Sequence, residues 1–273
     1  MTDLAPLINA ITAGAEPTLI RPDRHVAAFV VPAGGQIKTV DVEHLADRPR
    51  RKRGTVLIGD TASMASYLAK HATADTEVWT DLDHLTITAV INAHGEDAPG
   101  WGDHRAVHRC KTTPGWDAWT ATDGKLLTQQ HFAELIETRA VDVVKPAAAE
   151  MLEVAQHFSA TVGVRYESSR LLSNGQRQFE YREQVEAKAG RAGRLDVPTE
   201  FELALEPLAG AGRFRVTARF RYRMADGGLQ VGYQLVRPEV VLEDAFAEVV
   251  AGIAEAVGTD EIGGGLLLSG SPS

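Results

Sequence analysis

Apolar and polar residues alternate through much of the C-terminal half of the chain, as they do in strands that bury one face. The alternating runs lie at 162–166, 179–185, 201–205, 214–222 and 229–235. Asn174-Gly175 separates the first two runs and Asp226-Gly227-Gly228 the last two, and both are typical hairpin turns. The pattern predicts a long hairpin followed by an antiparallel meander, giving a sheet of at least four strands.

Apolar residues at helical spacing predict helices on either side of these strands. The amphipathic stretches lie within 1–15, 61–71, 128–138, 146–158 and 245–257. Asp60 or Thr61 is expected to cap the second stretch and Thr128 the third. Pro146 occupies a favoured first-turn position for the fourth. We expect the last helix to lay its apolar stripe on the meander.

The first half of the chain has shorter and less regular patterns. Proline-punctuated extended segments are expected over 18–31, a strand over 55–58 and a hairpin over 77–91. The stretch from 92 to 127 has no clear period and is rich in glycine, tryptophan and histidine.

These elements predict an α+β fold with three parts. Residues 1–145 form a mixed part with a basic loop and a Trp/His-rich segment, and residues 146–258 form a helix, an antiparallel sheet and a terminal helix. Residues 259–273 are flexible by composition, although the three leucines at 266–268 would have to dock if they are not to be exposed together.

Composition narrows the possible partners and compartment. The net charge of −9 disfavours bulk attraction to nucleic acid or to an anionic membrane, so such binding would need a local basic patch. Cys110 is the single cysteine, which excludes an intramolecular disulfide and fits a reducing compartment. No run of apolar residues approaches the length of a membrane span, and the first 15 residues lack the features of a signal peptide. We therefore expect a protein of the host cytoplasm with no membrane partner.

Several segments spread along the chain resemble the YfdQ-like family of uncharacterised phage and prophage proteins. They are Pro49-Arg50-Arg51-Lys52-Arg53-Gly54-Thr55, Pro99-Gly100-Trp101 with Asp103-His104-Arg105-Ala106-Val107, Asp226-Gly227-Gly228-Leu229, and Leu235-Val236-Arg237-Pro238 with Val241-Leu242-Glu243-Asp244-Ala245-Phe246. The resemblance extends from about Phe29 to Ala256. It implies a gene carried by temperate phages or prophages and an intracellular product, and it brings no established activity and no catalytic residues.

One cluster of residues has the chemistry of a metal or acid-base site. It comprises His84, His94, His104 and His108 with Asp81, Asp83, Asp97, Asp103 and Cys110. His104 and His108 can share one face, but no pair matches a zinc signature, and the alternative is that these side chains orient a Trp-rich loop. Asp103 beside His104 does not establish a catalytic pair, because adjacency in sequence shows neither a nucleophile within reach nor an oxyanion donor. We predict no metal site, no cofactor and no enzymatic activity.

Two basic features suggest nucleic-acid contact. Arg213, Arg215, Arg219, Arg221 and Arg223 share the polar face of one predicted strand, and Arg50, Arg51, Lys52 and Arg53 form a basic loop. Together they could line a groove for phosphates. Alternatively, Glu200, Glu202 and Glu206 on a neighbouring strand pair with the arginines and neutralise that face.

The function that these features favour is structural. Sheet faces of opposite charge, a projecting hairpin and mildly apolar chain ends are typical of a protein that assembles with itself. We predict a non-catalytic homo-oligomer, capsid-like or ring-like. The alternative is an accessory protein that binds single-stranded nucleic acid during phage replication or recombination, with 50–53 as the contact.

Overall fold

The chain, studied as a computed structural model, forms two compact units, residues 1–54 and residues 55–273. The structure describes residues 18–22, 26–31, 36–171, 177–188, 197–225, 228–257 and 267–272, with the backbone alone for 18–38, 159–188, 225, 228 and 256–257. The predicted first helix, Leu266 and the two predicted turns at 174–175 and 226–227 lie outside the described residues.

The first unit contains a small antiparallel sheet. Its strands are β1 (Thr18–Pro22), β2 (Val26–Val31) and β3 (Gln36–Asp41), in that spatial order. A short 3-10 helix, Glu43–Leu45, follows β3 and leads towards the basic loop. The extended segments predicted over 18–31 are confirmed by β1 and β2.

The second unit contains helices and strands in an α+β arrangement. Its described helices are α1 (Thr61–His71), α2 (Pro114–Ala121), α3 (Gln129–Thr138), α4 (Ala148–His157) and α5 (Pro238–Val257), with a 3-10 helix at Ala140–Asp142. Its strands are β4 (Gly54–Ile58), β5 (Glu77–Asp81), β6 (Thr86–Val90), β7 (His104–Arg109), β8 (Leu126–Thr128), β9 (Val143–Lys145), β10 (Ser159–Leu171), β11 (Arg177–Lys188), β12 (Glu200–Leu205), β13 (Phe214–Ala225), β14 (Gly228–Leu235) and β15 (Leu267–Ser269). The predicted α+β class is confirmed.

The predicted meander forms the centre of an antiparallel sheet with the order β8-β14-β13-β12-β9. Phe220 of β13 stands opposite Tyr233 of β14, and Val216 stands opposite Leu203 of β12. Apolar positions of these strands are buried while the arginines between them on β13 are exposed. Three of the five predicted strands therefore share one antiparallel sheet, but the predicted sheet of at least four strands is completed by β8 and β9, which alternation did not predict, while the two hairpin strands lie in a sheet of their own.

The buried face of the antiparallel sheet is covered by α2, α3 and α4. Side chains that form this core include Trp116, Trp119, Phe132, Ile136, Met151, Val154, Phe158, Phe201, Leu203, Phe220, Val231 and Tyr233. Trp119 meets Tyr233 edge-on with 5.2 Å between ring centroids, and Phe158 meets Phe220 in the same way at 5.4 Å. Edge-to-face pairs of this kind add to the stabilisation that burial alone gives.

A second sheet has the order β15-β5-β6-β7-β4, and β15 joins it in parallel with β5. Its core is covered by α1 and α5, with Met64, Leu68, Ile87, Phe246, Val249 and Ile253 among the buried residues. Of the two predicted caps, Asp60 and Thr61, Asp60 caps α1 by accepting a hydrogen bond from the backbone N of Ser63.

The position of α5 only partly agrees with the prediction that this helix covers the meander. Its buried residues Phe246, Val249 and Ile253 pack into the core of the second sheet, beside α1. Val241 and Leu242, near the start of the helix, also pack against the core of the antiparallel sheet. An apolar stripe shows that a helix is packed on one face, but it does not identify the sheet that receives it.

The stretch 92–127, expected to be irregular, contains β7, α2 and the first residues of β8. The inward positions of β7 are His104, Ala106 and His108. Because histidine counts as polar, this strand gives no hydrophobic alternation. Pro146 precedes α4, which begins at Ala148 and not at the predicted first-turn proline.

The long hairpin is confirmed at the level of the backbone. β10 and β11 have 13 and 12 residues and pair antiparallel, with Tyr166 opposite Tyr181 and Ser159 opposite Lys188. Within the described part of the chain these two strands form a sheet of their own.

Candidate functional site

The structure separates the predicted histidine cluster. His104 and His108 are 5% and 3% exposed on β7, whereas His84 and His94 are exposed elsewhere. The hydroxyl of Tyr67 on α1 lies 2.9 Å from His104 Nε2, and His108 Nδ1 lies 3.1 Å from the carbonyl oxygen of Ile58. The two buried rings therefore link β7 to the helix above it and to the neighbouring strand.

Asn92 connects Asp103 to the backbone of His104. The amide nitrogen of Asn92 donates to Asp103 Oδ1 at 2.8 Å, and the amide oxygen accepts from the backbone N of His104 at 2.8 Å. The rings of Tyr67, His71 and His104 pack together, with centroids 4.5–6.1 Å apart. These contacts hold β7 against α1 and against the loop that contains Asn92.

Among the described residues, no three His, Cys, Asp or Glu side chains converge on a point that could hold a metal ion. His84 Nδ1 lies 2.9 Å from Asp81 Oδ2, and hydrogen bonds from Ser271 and His84 hold the pKa of Asp81 below its usual value.

Burial raises the pKa of the Cys110 thiol to about 11, so this group stays protonated near neutral pH.

The basic loop lies against carboxylates of its own unit. The backbone N of Arg50 donates to Glu43 Oε1 at 2.7 Å, and the guanidinium of Arg53 lies 2.8 Å from Glu43 Oε2. Asp41 and Asp47 line the same shallow cavity of about 490 Å³ as Arg48 and Arg53. Arg51 and Lys52 complete the loop, and Lys52 is exposed. The predicted contact 50–53 is therefore partly neutralised.

The arginines of β13 are exposed, and several of them pair with neighbouring side chains. Arg219 Nε lies 3.2 Å from Glu200 Oε1, and Arg215 Nη1 lies 3.6 Å from Glu202 Oε2, both on β12. Arg221 donates to the side-chain oxygen of Gln234 at 2.5 Å. The predicted pairing of this face is confirmed for Glu200 and Glu202. Glu206, the third glutamate of the prediction, accepts a hydrogen bond from the backbone N of Gly210.

An exposed apolar strand edge was not identified from the sequence. β4 is the last strand of the second sheet, and its residues Val56 and Leu57 are 37% and 79% exposed. Within the described part of the chain, its outer edge has no strand partner. The run Thr55-Val56-Leu57-Ile58 resembles a buried strand in the sequence, because exposure cannot be derived from an unbroken apolar run. An apolar edge strand of this kind favours pairing with another chain.

Within the described residues, every helix is too short or too polar to span a membrane. Neither the curated proteins nor the solved structures contain a match to the chain. A family model described as "uncharacterized conserved protein (DUF2303)" matches residues 3–265, and the chain therefore belongs to this family.

Proposed function

We propose that this protein is a non-catalytic structural subunit that assembles with copies of itself. The observation that carries the proposal is the β10–β11 hairpin, whose two strands pair with each other and, among the described residues, with no further strand. A two-stranded hairpin is at best marginally stable in water without a surface to pack on. A neighbouring subunit supplies that surface.

The length of the hairpin suits contact with a neighbour. Strands of 13 and 12 residues extend about 40 Å at about 3.3 Å per residue. That length exceeds the diameter of a small domain, about 30 Å. A hairpin of this length can extend onto an adjacent subunit and contact it over a long path.

The edge of β4 supplies a second surface for assembly. Leu57 exposes most of its side chain there, and the backbone groups along the outer edge can pair with a strand of another copy. The β10–β11 hairpin and the edge of β4 are different surfaces, so a contact between the hairpin of one subunit and the β4 edge of another is heterologous. Such contacts give a ring or shell when the rotation that relates neighbouring subunits closes. A capsid-like or ring-like assembly, encoded by a phage or prophage, is the specific form that we propose.

Nucleic-acid binding is the competing function. Its best support is the basic loop 50–53, but Glu43 contacts two residues of that loop. The arginine face of β13 is similarly paired with Glu200 and Glu202. The net charge of −9 also disfavours bulk attraction of the chain to nucleic acid.

Light scattering after size-exclusion chromatography, with and without nuclease treatment, separates the two functions. Self-assembly predicts a particle of many 29.4 kDa subunits whose mass is unchanged by nuclease. A large particle that falls to 29.4 kDa after nuclease treatment would instead identify a nucleic-acid complex. A 29.4 kDa species in both samples would refute assembly.

A further inference from the structure

The outer edge of β5 is covered by a short strand from the C-terminal part of the chain. β15 pairs with β5 in parallel, and its residues Leu267–Ser269 stand opposite residues 78–80. Within the described part of the chain, β15 is the end strand of the second sheet. Without β15, the backbone groups along this edge of β5 would be free to pair with another strand.

Hydrogen bonds beyond the strand ladder set the register of this segment on β5. The hydroxyl of Thr80 donates to the carbonyl oxygen of Leu268 at 3.3 Å, and the backbone N of Gly270 donates to the carbonyl oxygen of Thr80 at 2.8 Å. The hydroxyl of Ser271 donates to Asp81 Oδ2 at 2.9 Å. The edge therefore recognises the segment at several successive positions.

Gly270 allows the segment to pass close to the ring of Trp79. Its φ is +128°, a backbone conformation that glycine adopts without strain. A Cβ built at this position would lie 4.0 Å from both Cε3 and Cζ3 of Trp79. The seat on β5 thus fits the sequence Leu-Leu-Ser-Gly-Ser of residues 267–271 and is specific for more than an extended backbone.

The segment buries little of its own side chains. Leu267 is 59% exposed, Leu268 is half-buried and Ser269 is exposed. Most of the attachment is therefore made by hydrogen bonds at a solvent-facing edge. Each such bond contributes little net stability, because water replaces it when the segment leaves. Segments held in this way open at a far smaller cost in free energy than the unfolding of the whole protein.

The connection to the rest of the chain is long enough to reach another subunit. α5 ends at Val257, and residues 258–266 connect it to β15. An extended chain of that length spans about 30 Å. Tethering through a connection of this kind gives a strand an effective concentration of about millimolar at its own edge. Subunits that are packed together in an assembly present their tails to one another at a similar concentration.

We propose that the outer edge of β5 is an acceptor site for residues 267–272 of a second copy of the chain. The exchanged strand binds in the register that β15 has within one chain and makes the same hydrogen bonds, so the exchange costs little free energy and links two subunits. Pairing of a strand with a sheet edge is an established mode of peptide recognition. This inference deepens the proposed self-assembly and rests on it, because assembly brings the tails close to neighbouring edges.

Disulfide trapping between two co-expressed full-length chains tests the exchange. One chain carries Thr80→Cys and the other carries Ser269→Cys, with tags of different size. These two positions stand opposite each other in the register, so a bond between the chains requires the tail of one copy on β5 of the other. Cys110 is buried and its thiol pKa is raised to about 11, so it competes little. The matched control pairs Thr80→Cys with Asp117→Cys, an exposed position on α2.

A non-reducing gel should show severalfold more of the mixed-tag dimer for the Thr80→Cys and Ser269→Cys pair than for the control. Adding Gly270→Val to the Ser269→Cys chain should remove most of this dimer, because a β-branched residue is strained at positive φ. Asp81→Cys with Ser271→Cys provides a second pair, since the side-chain oxygens of Asp81 and Ser271 are 2.9 Å apart. Single chains that carry both cysteines of a pair show whether the geometry permits the bond.

The exchange is overturned if neither pair gives more mixed-tag dimer than the control, whether the double variants form their disulfides within one chain or form none. Light scattering on the same preparations separates this result from a failure of self-assembly. Large particles without bonds between chains refute the exchange alone. A single-subunit species without such bonds refutes both the exchange and the assembly.

Discussion

The indole Nε1 of Trp119 donates a hydrogen bond to the carboxylate Oδ2 of Asp142 at 3.0 Å, inside the core of the antiparallel sheet. Asp142 is only 4% exposed. The guanidinium of Arg139 contacts the same carboxylate oxygen at 2.9 Å, and that of Arg213 lies 3.5 Å from the other. This one carboxylate therefore links α2, the second 3-10 helix and the start of β13.

Asp142→Ala should lower the free energy of unfolding by about 3 kcal/mol, because it leaves a buried indole N–H and the guanidinium of Arg139 without their acceptor. Urea denaturation measures this change. Asp117→Ala, which removes an exposed carboxylate from α2, is the control and should change stability by less than about 0.5 kcal/mol. Equal effects from the two substitutions would show that the buried carboxylate has no special role.

Phe220→Ala should cost about 3–5 kcal/mol of stability, as expected for truncation of a buried aromatic side chain. Phe220 contacts Phe158 and Phe132, with ring centroids 5.4 and 5.7 Å away. Arg221→Ala, on the exposed face of the same strand, should cost at most about 1 kcal/mol. Chemical denaturation of both variants tests the assignment of faces, and a larger loss for Arg221→Ala would reverse it.

These faces could be predicted from the sequence because Phe220, Arg221 and Tyr222 continue a strict period of two. β7 could not be predicted in this way, because His104 and His108 are its buried residues. The packing of α5 could not be predicted from its local sequence pattern either, because residues of this one amphipathic helix pack against the cores of both sheets.

The candidate sites were also only partly predictable from the local sequence. The pairing of Glu200 with Arg219 follows from their facing strands, and it was among the sequence-based alternatives. The acceptor edge of β5 brings Thr80 next to Leu268, 188 positions further along the chain. The leucines at 266–268 indicate that this segment docks, but no local motif identifies the strand that receives it.

Alkaline pH should destabilise the protein through Cys110. Burial raises the pKa of its thiol from 9.0 to about 11, so the unfolded chain releases this proton first as the pH rises. The free energy of unfolding should then be unaffected by this group below pH 9 and should fall between pH 9 and about 11. Urea denaturation of the wild type and of Cys110→Ala across this range isolates the effect. A difference between the two proteins that does not vary with pH would contradict it.

Leu57→Lys should weaken self-assembly, because a lysine on an edge strand opposes pairing with another chain. Val141→Lys is the matched control, since Val141 is 71% exposed but lies on a 3-10 helix and not on a strand edge. Light scattering at equal concentration should show a smaller mean mass for Leu57→Lys and no change for Val141→Lys. Equal masses for both variants and the wild type would exclude β4 from the contact.

The central claim is that the β10–β11 hairpin holds subunits together. Ser159 and Lys188 face each other in the register, so residues 160–187 can be replaced by an Asn-Gly turn that keeps both ends in place. Sedimentation velocity of this shortened chain beside the wild type is the most direct test. We predict large particles for the wild type and a folded, single-subunit species for the shortened chain. A wild type that sediments as one species near 29.4 kDa, or a shortened chain that still forms the full particle, would contradict the claim.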